Sequence, residues 1–204
     1  MKKFIITIAR GYGSGGKTIG KNLSERLGIN YYDKDIIRLA SEDSGINEQL
    51  FAMNDEKAEG GIFKKKKVYS GEIIPPQSWG FVSTENLFNY QAKTIKELAE
   101  KESCIFVGRC ADYILDGADG LIKVFIWANQ EACVANVMNL FNLENQEAAK
   151  QIERIDKERR LYYKQHTGRE WDDVRNYDLC LNTSDLGFEK CTDIIVDYIN
   201  IRNK

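Results

Sequence analysis

The run FIITIARGYGSGGKTIGKNL, residues 4–23, sets a mostly apolar segment against a glycine cluster closed by Lys17 and Thr18. A buried strand that passes through a glycine turn into an amphipathic helix is the opening unit of a parallel α/β sheet. Two patterns fit the turn. Gly11, Gly13 and Gly16 read as G-x-G-x-x-G, a dinucleotide fingerprint, whereas Gly11, Gly16, Lys17 and Thr18 read as G-x-x-x-x-G-K-T, a phosphate loop. The dinucleotide reading has an acid, Asp33, near the end of the second strand, but gives Lys17 and Thr18 nothing to do. Phosphate binding uses both, the ammonium on the β- and γ-phosphates and the hydroxyl on Mg²⁺, with the helix dipole behind them. Gly11, Tyr12, Gly13, Ser14, Gly15, Gly16, Lys17 and Thr18 are therefore read as a nucleotide-phosphate loop.

A chain of 204 residues suffices for one α/β domain with a lid or an insertion. With a net charge of −2, nothing global points to nucleic acid or an anionic membrane as a partner, and a basic site would have to be local. Five cysteines without a C-x-x-C pair fit a reducing, cytoplasmic setting. MKKFIITIARG resembles a signal peptide, but its apolar stretch is short, breaks at Arg10 and lacks a cleavage site, so it reads as a first strand. No apolar run reaches the roughly 20 residues of a membrane span.

Apolar runs and helical patterns alternate along the chain. The pattern predicts strands at 4–9, 29–32, 104–107, 121–128 and 177–182. Helices are predicted at 17–27, 34–42, 84–102, 130–141, 144–163 and 188–201. Five strands interleaved with helices imply a parallel sheet covered on both faces. Residues 43–82 read as the least regular part, with Lys64–Lys67 a solvated loop and Pro75-Pro76 a helix breaker. The whole chain reads as one domain, its core at about 1–42 and 98–204 and an insertion at about 43–97.

Three further clusters carry chemistry. In YYDKD, Asp33 and Asp35 close the second strand, where carboxylates can serve Mg²⁺ or take a proton, or else simply cap a helix. In FVGRCADYIL, Gly108 turns the chain at a strand end, Arg109 offers a fork suited to phosphate, and Asp112 follows at helical spacing. In QIERIDKERRLYYKQHTGRE, Arg154, Arg159 and Arg160 stand among acids that include Asp156. That segment is either a solvated charged helix or an arginine-rich lid at about 150–172 that neutralises a transferring phosphoryl group. His166, the only histidine, leaves little basis for a histidine triad or zinc site.

In the order they occur, GYGSGGKTIGKNLSERLGINYYDKDII, VGRCADYIL, the arginine-rich helix and YDLCLNTSDLGFEKCTDII resemble the cytidylate kinase-like family of P-loop nucleoside monophosphate kinases. The resemblance implies a three-layer P-loop NTPase fold with a five-stranded parallel sheet, an acceptor-binding insertion and an arginine-rich lid. It implies phosphoryl transfer from ATP, with Mg²⁺, to CMP or dCMP. In that scheme Lys17, Arg154, Arg159, Arg160 and Asp33 are catalytic, and Thr18 and Asp33 serve the metal. The glycine loop with Thr183 and Ser184 binds ATP. Asp35, Arg38, Gly108, Arg109, Asp112 and Asp156 face the acceptor. The chain departs from the family where Val107-Gly108-Arg109-Cys110 replaces Asp-Gly-Arg-Asp, and its acceptor region lacks the residues that read cytosine. The Asp33/Asp35 pair also resembles shikimate kinase, so a small-hydroxyl kinase is the enzyme alternative. A nucleotide-binding regulator without turnover is the alternative from another class.

Overall fold

The computed structural model describes residues 3–57 and 68–202, so Lys64–Lys67 lies outside the described residues. Strand β1 (Ile5–Arg10) leads through the glycine loop into α1 (Gly16–Leu27), β2 (Asn30–Tyr32), α2 (Asp35–Ser44) and α3 (Glu48–Asn54). Helix α4 (Thr84–Lys101) precedes β3 (Cys104–Val107), the short α5 (Ala111–Ile114) and β4 (Leu121–Trp127). Helices α6 (Gln130–Phe141) and α7 (Asn145–Thr167) follow, then β5 (Leu179–Asn182) and α8 (Thr183–Arg202), the last broken at Gly187. All strand pairs are parallel, in the order β2-β3-β1-β4-β5. β1 is thus central, with a strand on either side, and its C-terminal end opens at the switch point where such sheets bind ligands.

Alternation along the strands assigns each face its core. Ile6, Ile8, Ile105, Val107, Ile122, Val124 and Ile126 pack against Ile19 and Leu23 of α1 and Cys191, Ile195 and Ile199 of α8. Ile5, Cys104, Phe106 and Leu121 pack on the opposite face against Phe88, Ala92 and Ile95 of α4 and Tyr162 and Tyr163 of α7. This is the expected five-stranded parallel sheet with helices on both faces.

The departures from the predicted elements have local causes. Residues 43–82 contain α3, whose N-terminus is capped by the Asn47 side chain accepting from the Gln49 amide at 2.8 Å. Phe51 of α3 is fully buried beside Ile37 and Ala40 of α2 and Leu87 and Tyr90 of α4, so the segment is anchored in a small core shared with its flanking helices. β5 starts at Leu179, two residues late, because Tyr177 and Asp178 complete the turn after a 3-10 segment, Val174–Asn176. α7 continues past Tyr163 to Thr167 and stops at Gly168, whose φ of 73° suits a helix end. Most of the stretch read as a lid is therefore inside one unbroken helix, with Arg159, Tyr162, Tyr163 and His166 buried.

Candidate active site

The glycine loop is built for close approach. Gly13 and Gly15 have φ of 83° and 85°, a region side chains rarely adopt. A Cβ at Gly15 would also lie 2.2 Å from the Phe188 ring, and one at Gly13 2.7 Å from the Cys133 carbonyl oxygen. α1 starts at Gly16 without a side-chain cap and without an acid in its first turn, so its positive end is left to a ligand. The loop is tied down from four elements. Ser14 Oγ donates to Gly11 O at 2.8 Å and to Ile126 O of β4 at 3.1 Å. Thr183 Oγ1 donates to Ser14 O at 2.9 Å, and Asn136 Nδ2 to Gly13 O at 2.8 Å. Asp156 of α7 accepts from the Tyr12 amide at 2.8 Å. The Tyr12 ring lies against Phe141, with the Arg159 guanidinium 5.6 Å over it.

Beside the loop, a chain of ion pairs crosses the C-terminal ends of β1, β2 and β3. Lys17 Nζ reaches Asp33 Oδ2 at 2.6 Å, and the other Asp33 oxygen meets Arg109 Nη1 at 3.1 Å. Arg109 Nη2 continues to Asp55 Oδ2 at 2.8 Å. Arg10, the last residue of β1, grips Glu56 with two bonds of 2.6 and 2.9 Å. Arg159 lies 3.5 Å from Glu56 and donates to the Arg10 carbonyl at 3.0 Å. The three arginines are buried, whereas the Lys17 side chain is 47% exposed. These residues line a cavity of about 660 Å³ together with Thr18, Lys34 and an apolar end made by Val137, Leu140, Phe141, Ile155 and Phe188.

The charges set each other's protonation. Burial opposes ionisation of Asp33, but Lys17 and Arg109 outweigh it and hold its carboxyl below the usual range. Burial works against Glu56 too, and Arg10 and Arg159 overcome it more strongly. At Asp55 burial prevails over Arg109, and at Asp156 over the Tyr12 amide and Arg159, so both carboxyls are pushed up. Arg109 stays firmly protonated, because Asp55, Glu56 and Asp33 more than offset its burial.

The structure brings Lys17, Thr18, Asp33, Gly108, Arg109, Asp156 and Arg159 together around the loop and the cavity. It does not bring Asp35, Arg38, Asp112, Arg154, Arg160 or Ser184 there, and Thr183 meets the loop only from behind, at its backbone. Arg160 lies 3.3 Å from Asp172 with its guanidinium over Trp171, and Arg154 is exposed outside the cavity lining. Consecutive arginines point about 100° apart on a helix, and here Arg159 turns to Arg10 and Glu56 while Arg160 turns to Asp172. Arg38 pairs with Glu42 one turn on, and Asp35 is exposed in the first turn of α2. Asp112 is buried and accepts from Tyr163 Oη at 2.6 Å, a structural contact. Thr183 supports the loop backbone, while Ser184 Oγ accepts from the Asn129 amide at 2.7 Å.

Arg10, Asp55 and Glu56 were not legible as site residues. A charged residue closing a buried strand just before a glycine loop was the available signal for Arg10. Asp55 and Glu56 follow a helix in a segment without periodicity, and nothing in the sequence marked them.

Oxygen donors suited to Mg²⁺ are present at the cavity in the Thr18 hydroxyl and the Asp33 carboxylate. No group of three or more His, Cys, Asp or Glu poised for a metal occurs among the described residues. No helix among them is long and apolar enough to cross a membrane.

The chain resembles an uncharacterized protein from Eubacterium ventriosum at a TM-score of 0.71 and 26% identity, over 97% of this chain and 99% of that one. It also resembles a shikimate kinase from Bacteroides thetaiotaomicron at 0.54 and 13% identity, over 97% and 98% of the two chains. A shikimate kinase from Acinetobacter baumannii, solved in complex with shikimate, matches at 0.51 and 14%, over 100% and 96%. At those identities the two kinases speak for the fold alone. No curated protein sequence matches. A family model described as "Cytidylate kinase-like family" matches residues 5–185. With a phosphate loop at the switch point of a five-stranded parallel sheet and a family match over most of its length, the chain belongs to the cytidylate kinase-like family.

Proposed function

We propose that the protein transfers the γ-phosphoryl group of ATP to a nucleoside monophosphate, CMP or dCMP first among them, giving ADP and the nucleoside diphosphate. The observation that carries this reading is the Asp33 carboxylate shared between Lys17 and Arg109. Lys17 belongs to the loop that cradles the donor phosphates, and Arg109 is a fork suited to an acceptor phosphate. One carboxylate therefore sets the spacing of donor and acceptor cations. Transfer of this kind depends on positioning and charge neutralisation, which fixed cations supply. Mg²⁺ would be held by Thr18 and Asp33 and would neutralise charge on the phosphates.

The state of Asp33 also favours a phosphate acceptor over a hydroxyl one. A carboxylate held ionised by two cations is a weak base, poorly matched to removing a hydroxyl proton. A phosphate dianion needs no base before it attacks the γ-phosphorus. The apolar end of the cavity, at Leu140, Phe141 and Phe188, suits the ring of a nucleobase.

The test is ADP release by the purified protein with MgATP against CMP, dCMP, UMP, AMP and shikimate, with Lys17→Ala as the blank. Turnover with CMP or dCMP supports the proposal. Turnover with shikimate alone, or none with any monophosphate while MgATP still binds, overturns it.

A further inference from the structure

Glu56 occupies a position that its own side chain does not fully satisfy. Its carboxylate accepts from Arg10 at 2.6 and 2.9 Å and from the Arg109 amide at 3.1 Å, with Arg159 at 3.5 Å. The Nε groups of Arg10 and Arg109 nevertheless lack hydrogen-bond partners, as does Asp55 Oδ1, and Arg159 Nε has only the long 3.5 Å approach to Glu56. These arginines are at least nine-tenths buried, so the unused donors are costly. Glu56 serves Arg10, Arg159 and the Arg109 N–H, and Asp33 and Asp55 serve the Arg109 guanidinium, yet these carboxylates leave donors unused, whereas a phosphate group brings a third oxygen and a second charge.

The backbone carries the same message. Four non-glycine residues among those described have φ near +50°, and three of them meet at this contact: Glu56 at 51°, Arg109 at 55° and Cys110 at 56°. The fourth, Asn142, caps the end of α6, where Asn is well tolerated. Each such residue costs on the order of 1–3 kcal/mol and persists where the surroundings impose it. Gly108 (φ 79°), Arg109 and Cys110 form a left-handed turn in which the Gly108 N–H is taken by Ile8 O at 3.0 Å, while the Arg109 N–H is turned onto the Glu56 carboxylate at 3.1 Å. Gly108 has a φ that side chains rarely adopt, and a Cβ there would push on the Glu56 carboxylate and the Arg10 guanidinium.

The charge count points the same way. Arg10, Lys17, Arg109 and Arg159 are paired with Asp33, Asp55, Glu56 and Asp156, four formal charges of each sign. A balanced cluster has no net attraction for a dianion. Without Asp55 and Glu56 it carries two uncompensated positive charges, the match for one phosphate monoester. Both acids come from the segment after α3, while Asp33 and Asp156 sit on the sheet end and on α7.

We propose that Glu56 is a resident occupant of the acceptor's anion site, and that Asp55 and Glu56 leave Arg10, Arg109 and Arg159 when a phosphate monoester dianion takes their place. This rests on the reading that Arg109 faces an anionic acceptor. Arg10 then becomes a residue that reads the acceptor's charge, and Glu56 sets a threshold that neutral or singly charged molecules do not pass.

The experiment is calorimetric titration of wild-type protein and Glu56→Gln with CMP, inorganic phosphate and cytidine. Removing the competing carboxylate is expected to tighten CMP and phosphate binding roughly tenfold or more and to leave cytidine unaffected. Equal or weaker CMP binding by folded Glu56→Gln overturns the proposal while leaving the acceptor reading intact. Binding of MgATP but of no monophosphate by either protein overturns the acceptor reading and this proposal with it. Should Glu56→Gln not fold, hydrogen exchange on the wild-type protein decides. Saturating CMP is expected to speed exchange in the peptide covering 48–57 while slowing it at the start of α1. Unchanged or slower exchange in 48–57 overturns the proposal.

Discussion

Replacing Lys17 by alanine removes the ammonium that meets Asp33 from a side chain 47% exposed to solvent. Ion pairs in such positions contribute at most about 1 kcal/mol, which is ~4 °C of Tm or less for a domain of this size. Replacing Arg109 by alanine is a different perturbation, although it touches the same carboxylate. Its side chain is 3% exposed and lies between Asp33 and Asp55, so truncation leaves buried carboxylates without their cation. Breaking a buried pair costs about 3–5 kcal/mol, or ~6–20 °C of Tm. Activity should not follow stability. Lys17→Ala is expected to lose on the order of 10³ or more in rate, equivalent to ~4 kcal/mol at the transition state. Arg109→Ala should raise the KM for the monophosphate far more than that for ATP. Adding Asp55→Asn to Arg109→Ala should recover part of the Tm by removing an orphaned charge, and none of the acceptor use. Thermal melts and ADP release on the four proteins test this directly. A wild-type rate in Lys17→Ala would refute the site, and a melt of Arg109→Ala within ~4 °C of wild type would refute the argument from burial.

Two further outcomes are specific. Tyr163→Phe strips the Oη donor from the buried Asp112 carboxyl and should cost about 1–3 kcal/mol in chemical denaturation with kcat within about twofold of wild type; a large fall in kcat would return Asp112 to the site. Glu56 has a depressed carboxyl in the folded state, so its contribution to stability is complete above the unfolded value of about 4.3 and disappears as pH falls toward the folded one. The Tm advantage of wild type over Glu56→Gln should accordingly be constant near neutrality and shrink below about pH 4.3, and an advantage that does not change between pH 7 and 3 would contradict the ion-pair account.

What the sequence disclosed and what it withheld divide along a physical line. The sheet, the loop and the Gly108-Arg109 turn were legible because each rests on contiguous residues: apolar runs, glycines at fixed offsets, a lysine at a fixed place in a motif. The pairing of Asp33 with both Lys17 and Arg109 joins residues 76 positions apart, and only the parallel register of β2 with β3 brings those strand ends level. The arginine-rich segment was ambiguous because composition does not tell which face of a helix is buried. Packing resolves it, turning Arg159 inward beneath Arg10 while Arg160 pairs with Asp172.

Asp55 and Glu56 were the hardest to foresee, since no periodicity fixes a short acidic segment after a seven-residue helix. They nonetheless complete the electrostatics. Three buried arginines converging on one strand end would repel one another without counter-charge, and burial together with Arg10 already makes the charged form of Arg159 harder to hold. A fold that assembles such a cluster for a dianionic ligand must stabilise it while the ligand is away. Carboxylates borrowed from a neighbouring segment do this, and their strained seat at Glu56 and the unfilled guanidinium donors keep them displaceable.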